Sequence, residues 1–265
     1  MELKVVFLSY KCSRGAEILR QLKARDISLE AIFIERPKLL ERVRDVIGSM
    51  TYGEILQLVF RRLVSLFLPG KGDDWLTHDF YRSFSNRVYT VENFNGNQCE
   101  TLLRSIGPDI IVLGGSRIIR ENIISIPKIG TLNAHMGLLP KYRGVYPIRW
   151  AIYNGDKIGV TVHFIDRGVD TGPILTQRTV NIEENDNIDS LVEKCERLSG
   201  ELMAEVIVKM RQGQPINPIP QSKVEGNQYY KMSGKLRREA DRKLRRLTNE
   251  LKSNKRRDAT GGKSG

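Results

Sequence analysis

Two stretches of the chain carry polar side chains of the kinds that catalyse acyl transfer. Asn133 and His135 stand two apart at the end of an apolar run, so on an extended segment their side chains point the same way. The amide can donate a hydrogen bond to a developing oxyanion, and the imidazole can carry a proton or stabilise charge. Asp170 follows in a tight turn rich in glycine and aspartate, from which it is predicted to orient His135 or a water molecule.

The elements that must position these residues alternate between strand and helix. Short, mainly apolar segments predict strands at 4–8, 29–34, 87–91, 110–113 and 130–134, and alternation of apolar and polar residues predicts half-buried strands at 159–165 and 174–182. Apolar residues at helical spacing predict helices at 13–24, with Ser13 as the cap, and at 97–106, 120–126, 148–153 and 188–211. This alternation predicts an α/β fold, a mostly parallel twisted sheet with helices on both faces, and an antiparallel edge formed by the last two strands.

The carboxyl edge of such a sheet is where ligands bind, and the strand at 130–134 runs into His135 at that edge. Between the second and third strands the sequence predicts one or two helices at 39–68 and a loop at 69–74. We expect a catalytic domain at 1–215 and a C-terminal extension at 216–265. Within the extension, 234–251 is predicted to be helical and 252–265 disordered.

The net charge of +12 indicates an anionic partner, but its distribution weakens that inference. Residues 231–265 hold 13 Lys and Arg against 4 Asp and Glu, a net of +9, which leaves +3 for the rest of the chain. Cys12, Cys99 and Cys195 are odd in number and far apart, which favours reduced thiols in a cytoplasmic protein. No signal peptide and no apolar run of the roughly 20 residues that span a membrane is recognisable.

The two polar stretches resemble the signature of the folate-dependent formyltransferase family. The family pattern is Asn-x-His, then Leu-Leu-Pro, then Gly-x-Thr-x-His and Asp-x-Gly. This chain has Asn133, His135, Leu138-Leu139-Pro140, Thr161, His163 and Asp170-Thr171-Gly172 at matching spacing. The resemblance covers roughly residues 1–215 and implies a Rossmann-like formyltransferase fold, here followed by a short basic helical tail.

The resemblance also implies roles for particular residues. In the family the donor is 10-formyltetrahydrofolate, Asn and His polarise the formyl group, and Asp assists proton transfer; the matching positions are Asn133, His135 and Asp170. The folate is expected against two segments, represented by Gly114, Gly115, Ser116, Arg117 and Ile118 and by Ile165, Asp166 and Val169. Gly114 and Gly115 either admit folate close to the backbone or only permit a turn. No metal is expected.

Departures from the family pattern indicate which kind of molecule accepts the formyl group. Residues 9–15 stand where the ribonucleotide-using members carry a Gly-Ser-Asn phosphate loop, and 141–152 looks more like the tRNA and sugar enzymes. The C-terminal barrel of the tRNA enzymes does not fit the fifty or so residues after 215. We therefore expect the amine of a nucleotide-linked amino sugar as acceptor. The residues predicted to contact it are Lys141, Arg143, Tyr146, Arg149 and Trp150.

Other interpretations stay open. The chief alternative is a methionyl-tRNA formyltransferase in which the basic tail replaces the barrel. A folate-formyl hydrolase, a nucleic-acid-binding module on an inactive enzyme fold and a dinucleotide-dependent oxidoreductase are weaker, the last because no G-x-G-x-x-G follows the first strand. The expected partner is a small-molecule amine; a nucleic acid is a weaker alternative, and no membrane is expected. The acceptor's identity, a homo-oligomeric state and the purpose of the tail are left open.

Overall fold

A seven-stranded sheet forms the centre of the protein, whose computed structural model describes residues 3–36, 76–222 and 226–261. The described strands in chain order are β1 (Val5–Ser9), β2 (Leu29–Glu35), β3 (Val88–Val91), β4 (Ile110–Gly115), β5 (Gly130–His135), β6 (Tyr142–Gly144), β7 (Ile158–Phe164), β8 (Ile174–Val180) and β9 (Asn227–Tyr229). The central sheet has the order β3-β2-β1-β4-β5-β7-β8, and β6 pairs with β9 in a separate parallel sheet of two strands.

Most of the central sheet is parallel, as predicted. β1 and β4 are buried along their whole length, which is the pattern of parallel strands covered on both faces. β7 pairs with β5 and with β8 in antiparallel fashion, so the predicted antiparallel edge is confirmed. The change of strand direction after β5 brings β7 directly against the strand that carries Asn133 and His135.

Helices cover both faces of the sheet. The described helices are α1 (Ser13–Lys23), α2 (His78–Arg82), α3 (Asn97–Ile106), α4 (Glu121–Ile124), α5 (Pro147–Asn154), α6 (Ile188–Arg211) and α7 (Gly234–Gly261). Val5 and Phe7 of β1 lie in one core cluster, with buried residues of α1, α5, α6 and α7. Val6 and Leu8 lie in the other, with residues of α3 and α4. The alternation along one strand shows that the two clusters occupy opposite faces.

Several local expectations need correction. Cys12 rather than Ser13 caps α1, and its Sγ accepts a hydrogen bond from the Gly15 amide nitrogen at 3.4 Å. The short elements α2, β6 and β9 were not predicted. The helices predicted at 39–68 and the loop predicted at 69–74 lie outside the described residues. All three cysteines are free thiols.

The C-terminal helix is longer than predicted and belongs to the packed structure. α7 continues to Gly261, so the expectation of disorder from residue 252 is wrong for 252–261. Ala240 and Leu244 are buried in the larger core cluster, and Lys243 Nζ donates a hydrogen bond to Tyr153 O at 2.6 Å. The predicted domain boundary at 215 remains a prediction. Across the described ranges, no helix is both long and apolar enough to cross a membrane.

Candidate active site

Asn133 lies directly opposite His163 in the antiparallel ladder between β5 and β7. Directly opposed residues of such a ladder share one face of the sheet, so the two side chains meet. Asn133 Nδ2 is 3.2 Å from His163 Nε2. The sequence motif thus supplies an asparagine whose amide is held by the histidine of the neighbouring strand.

His163 is a buried, neutral imidazole. Its Nδ1 is 2.7 Å from the carbonyl oxygen of Phe164, which can only accept, so Nδ1 carries the proton. Burial lowers the pKa of His163 to about 4, although the neighbouring Asp170 carboxylate opposes that change. Near neutral pH the ring therefore presents an unprotonated Nε2, which accepts a hydrogen from the amide nitrogen of Asn133. The orientation of the Asn133 amide follows from this, with its nitrogen toward His163.

The side chain of His135 lies on the same face of β5 as that of Asn133, and it is also buried. Its Nε2 lies 2.6 Å from the carbonyl oxygen of Tyr142, so that nitrogen donates. The other nitrogen, Nδ1, then faces Asp170 Oδ2 at 3.5 Å. The Asp170 carboxylate is therefore the acidic side chain that faces the second nitrogen of the His135 ring.

Asp170 stands between the two imidazoles. Its Oδ1 lies 3.6 Å from His163 Nε2, its Oδ2 accepts a hydrogen bond from the Gly144 amide nitrogen at 2.9 Å, and its side chain is 14% exposed. The residue has a positive φ of 53°, in the left-handed region that non-glycine residues adopt infrequently. This backbone conformation turns the carboxylate back toward the end of β5. The expected grouping of Asn133, His135 and Asp170 is therefore present.

A polar network fixes the Leu-Leu-Pro loop that follows β5. Thr161 Oγ1 donates to Gly137 O at 2.7 Å and accepts from the Leu139 amide nitrogen at 3.1 Å. Gln177 Nε2 donates to Leu139 O at 2.6 Å and to Thr161 Oγ1 at 2.9 Å. Since Thr161 and Gln177 come from β7 and β8, the antiparallel edge of the sheet holds the loop next to His135.

Asn133, His135 and Asp170 lie at the wall of a cavity of about 490 Å³. Of the predicted donor-binding residues, six line it, namely Ser116, Arg117, Ile118, Ile165, Asp166 and Val169, together with Asn133, His135 and Asp170. Arg117 Nε contacts two groups, the hydroxyl of Tyr10 at 2.9 Å and Oε1 of the buried Glu35 at 3.2 Å. These contacts hold the guanidinium at the cavity wall.

Gly114 and Gly115 are not among the lining residues. A Cβ on Gly114 would lie 2.2 Å from the ring of Phe7, and one on Gly115 would lie 2.9 Å from Cys12 Sγ. The carbonyl oxygen of Gly114 accepts a hydrogen bond from Arg14 Nε at 3.3 Å. Close packing of β1 and of the start of α1 against the end of β4 accounts for both glycines, and contact of folate with them stays a prediction.

Only one of the predicted acceptor-binding residues lines the cavity, and that is Tyr146. The other four are engaged elsewhere. Lys141 Nζ pairs with Asp156 at 2.7 Å, and Arg149 pairs with Asp241 of α7. Arg143 donates to Gly226 O at 3.1 Å, and Trp150 Nε1 donates to Tyr230 O at 3.1 Å. The last three of these side chains hold the C-terminal extension against the rest of the protein, and a role for any of the four in acceptor binding stays a prediction.

Several cavity residues were missed by sequence reasoning, notably Arg14, Gly144, Gln228, Tyr229 and Tyr230. Arg14 follows β1 at the carboxyl edge of the sheet, so the edge rule itself could have indicated it. The residues of β9 carry no comparable signal, because they reach the cavity only through pairing with β6, far away in the chain. Within the described ranges, no group of three side chains that could hold a metal ion is found.

Fold and site together define an α/β protein with an amide, an imidazole and a carboxylate at the carboxyl edge of its sheet. The family model described as formyl transferase matches residues 74–207, just over half of the chain. The chain belongs to the formyl transferase family, so the resemblance stated from the motifs is confirmed.

Individual proteins resemble this chain in sequence or in fold. A methionyl-tRNA formyltransferase of Thermodesulfovibrio yellowstonii is 48% identical over 122 residues, which make up 45% of this chain and 39% of the relative. The matched stretch therefore spans about two fifths of that relative's length. A 4-N formyltransferase from Francisella tularensis has a TM-score of 0.59 at 15% identity, covering 92% of this chain and 88% of its own. A glycinamide ribonucleotide transformylase from Symbiobacterium toebii has a TM-score of 0.58 at 18% identity, covering 82% and 95%. The two structures show a shared fold.

Proposed function

We propose that this protein transfers a formyl group from 10-formyltetrahydrofolate to a primary amine. The observation that carries the proposal is the convergence of the Asn133 amide, the His135 imidazole and the Asp170 carboxylate on one cavity. Membership of the formyl transferase family supports the same reaction.

Asn133 is proposed to stabilise the negative charge that develops on the formyl oxygen. Its amide nitrogen has two hydrogens, one of which is given to His163. The second is available to the oxygen of a formyl group in the cavity. Because neutral His163 can only accept at Nε2, the amide is already oriented before a substrate arrives, as effective oxyanion stabilisation requires.

Asp170 and His135 are proposed to move the proton that the reaction displaces. As the acceptor nitrogen bonds to the formyl carbon, the bond from that carbon to the folate nitrogen breaks, and one amine proton must reach the departing nitrogen. The carboxylate and the His135 ring are 3.5 Å apart and both line the cavity, so together they can take up this proton and return it.

The cavity wall suits a flat heterocycle such as the folate pterin. Its apolar part comes from the end of β4 and from the residues that follow β4 and β7, and polar groups are interspersed among them, a composition typical of ligand sites. The apolar lining residues on this side are Leu113, Ile118, Ile119, Ile165 and Val169. We infer that these segments hold the donor next to Asn133.

The acceptor is proposed to be the amine of a nucleotide-linked amino sugar. Tyr146 and Tyr230, 40% and 70% exposed, line the cavity and offer aromatic faces on which a base or sugar ring can stack. Arg14 contributes a guanidinium group to the same cavity, and such groups recognise phosphates.

The test is formyl transfer from 10-formyltetrahydrofolate to a panel of amino-sugar nucleotides, read as mass gain of the acceptor by one formyl group. Parent protein should formylate at least one member. Asn133→Ala should do so with turnover reduced on the order of 10²–10³, the usual effect of removing one oxyanion donor. Equal rates for parent and variant would remove Asn133 from the proposed mechanism.

A second candidate acceptor is charged initiator tRNA, and one feature of α7 favours it. Five exposed cations lie on one face of the helix, opposite the buried residues Ala240 and Leu244, and none of them forms a side-chain ion pair within the described ranges. This cationic face consists of Lys235, Arg238, Arg242, Arg245 and Arg246. The relative from Thermodesulfovibrio yellowstonii is a methionyl-tRNA formyltransferase.

Salt dependence separates the two acceptors. Five phosphate contacts give a slope of about −4.5 in log affinity against log salt, or a loss of roughly 500-fold for a fourfold rise in salt. A sugar nucleotide with one diphosphate should lose far less. Replacing Arg238, Arg242 and Arg246 by Ala should flatten the slope for tRNA. Replacing Arg20, Arg104 and Arg178, which are already paired with acids, serves as the control of equal charge.

A further inference from the structure

Asp170 needs support from outside its own turn. Its φ of 53° is unfavourable for a residue with a side chain, and the placement of its carboxylate between His135 and His163 depends on that backbone conformation. A small relaxation of the turn would move the carboxylate away from both rings. Some of the contacts that oppose this relaxation come from the C-terminal extension.

Gln221 binds the backbone of the turn directly. Its Nε2 donates to the carbonyl oxygen of Asp170 at 3.1 Å and to that of Gly172 at 2.6 Å. Both partners are carbonyl oxygens, which only accept, so the amide orientation is determined. Ile219 anchors the segment two residues earlier, because its backbone exchanges two hydrogen bonds with Ile174, each 2.8 Å long.

The same extension also reaches the carboxylate through β6. Gly144, whose amide nitrogen donates to Asp170 Oδ2, pairs with Tyr229 of β9. The next residue, Val145, donates its amide hydrogen to Tyr229 O at 3.0 Å. The backbone of Asp170 is thus held by Gln221, and its carboxylate is held by a glycine that β9 keeps in place.

We propose that Gln221 is a positioning residue for Asp170, and that the extension acts on the active site through it. Its catalytic consequence rests on the formyl transfer proposed above. Gln221 does not line the cavity, so its effect passes entirely through the turn that carries Asp170.

Histidine resonances test the positioning without any substrate. The chain has three histidines, two of them beside Asp170 and the third, His78, on the distant helix α2 as an internal control. Gln221→Leu removes both hydrogen bonds at similar size. Gln214→Leu is the matched control, since Gln214 is exposed and, within the described ranges, its side chain donates only to Gln212. Ring signals are followed by NMR in both variants, in Asp170→Asn and in the parent.

We expect the His135 and His163 signals of Gln221→Leu to move toward those of Asp170→Asn, with His78 unchanged and Gln214→Leu like the parent. Formyl transfer, where the parent shows it, should slow by about tenfold with donor affinity retained. His135 and His163 signals that match the parent in folded Gln221→Leu would overturn the inference. Should that variant not fold, Gln221→Asn, whose shorter side chain cannot reach both carbonyls, is measured instead. Lack of formyl transfer by the parent would count against the proposed function alone, since the resonances need no turnover.

Discussion

The buried neutral state of His163 makes the stability of the protein depend on pH in a defined window. Burial lowers its pKa from 6.5 to about 4, so the unfolded chain takes up a proton at this residue more readily than the folded chain does. Stability from this group is fully present above 6.5, declines as the pH falls toward 4 and levels off below it. The whole pKa difference between the unfolded and the folded state corresponds to about 3 kcal/mol in the free energy of unfolding.

Part of that window is accessible to ordinary unfolding experiments. Between about pH 7.5 and pH 5, His163 should account for a loss of about 2 kcal/mol in the free energy of unfolding. His163→Gln should lack this component, because a glutamine amide can still donate to Phe164 O and accept from Asn133 but does not titrate. His78→Gln is the control, since His78 is exposed on α2.

The assay is urea unfolding of the three proteins at both pH values. Other groups titrate in the same range, so the informative quantity is the difference between the parent and each variant. We expect His163→Gln to be less sensitive to acid than the parent by about 2 kcal/mol, and His78→Gln to behave like the parent. Equal pH sensitivity of parent and His163→Gln would refute the conclusion that this imidazole is neutral.

Further predictions concern the packing of α7, Gly144 of β6 and the carboxylate of Asp170. Leu244→Ala should lower the free energy of unfolding by about 2–5 kcal/mol, because the Leu244 side chain is buried. Leu247 is 39% exposed, so Leu247→Ala should lower it clearly less. Equal urea midpoints for the two variants would show that α7 does not pack on the core. Gly144→Ala places a Cβ 2.1 Å from Tyr229 O and should reduce turnover at least tenfold, while Gly155→Ala, also at positive φ but with open space, should leave turnover unchanged. Asp170→Asn should slow transfer and alter its pH–rate profile with donor binding retained; a profile like the parent's would exclude Asp170 as the essential ionisation.

The sequence predicts the sheet and the grouping of the three central residues because both follow from local patterns. Buried parallel strands show as continuous apolar runs, and Asn133 and His135 share a face because they are two apart on β5. The edge rule then places the Asp170 turn nearby. The partner of Asn133 could not be read in this way, since it depends on the register of the antiparallel ladder, which sets His163 opposite it.

The acceptor side shows where sequence reasoning ends. Lys141 and Arg149 look free in the sequence, but Asp156 and Asp241 pair with them, and the second of these lies on a helix far along the chain. Tyr229 lines the cavity, and Gln221 contacts the turn that carries Asp170, only because distant segments of the chain pair with each other. No periodicity or spacing records such contacts. The interpretation of the tail as a separate, partly disordered appendage therefore overlooked its packing.

The central claim is tested most directly by single-turnover transfer of the formyl group from 10-formyltetrahydrofolate, with donor affinity measured in parallel for the parent and Asn133→Ala. The account predicts similar donor affinity in both proteins, transfer by the parent to an amine acceptor, and a rate lower on the order of 10²–10³ in the variant. Transfer at the same rate in both proteins, or a parent that binds the donor and transfers its formyl group to no amine of either acceptor class, would contradict the account.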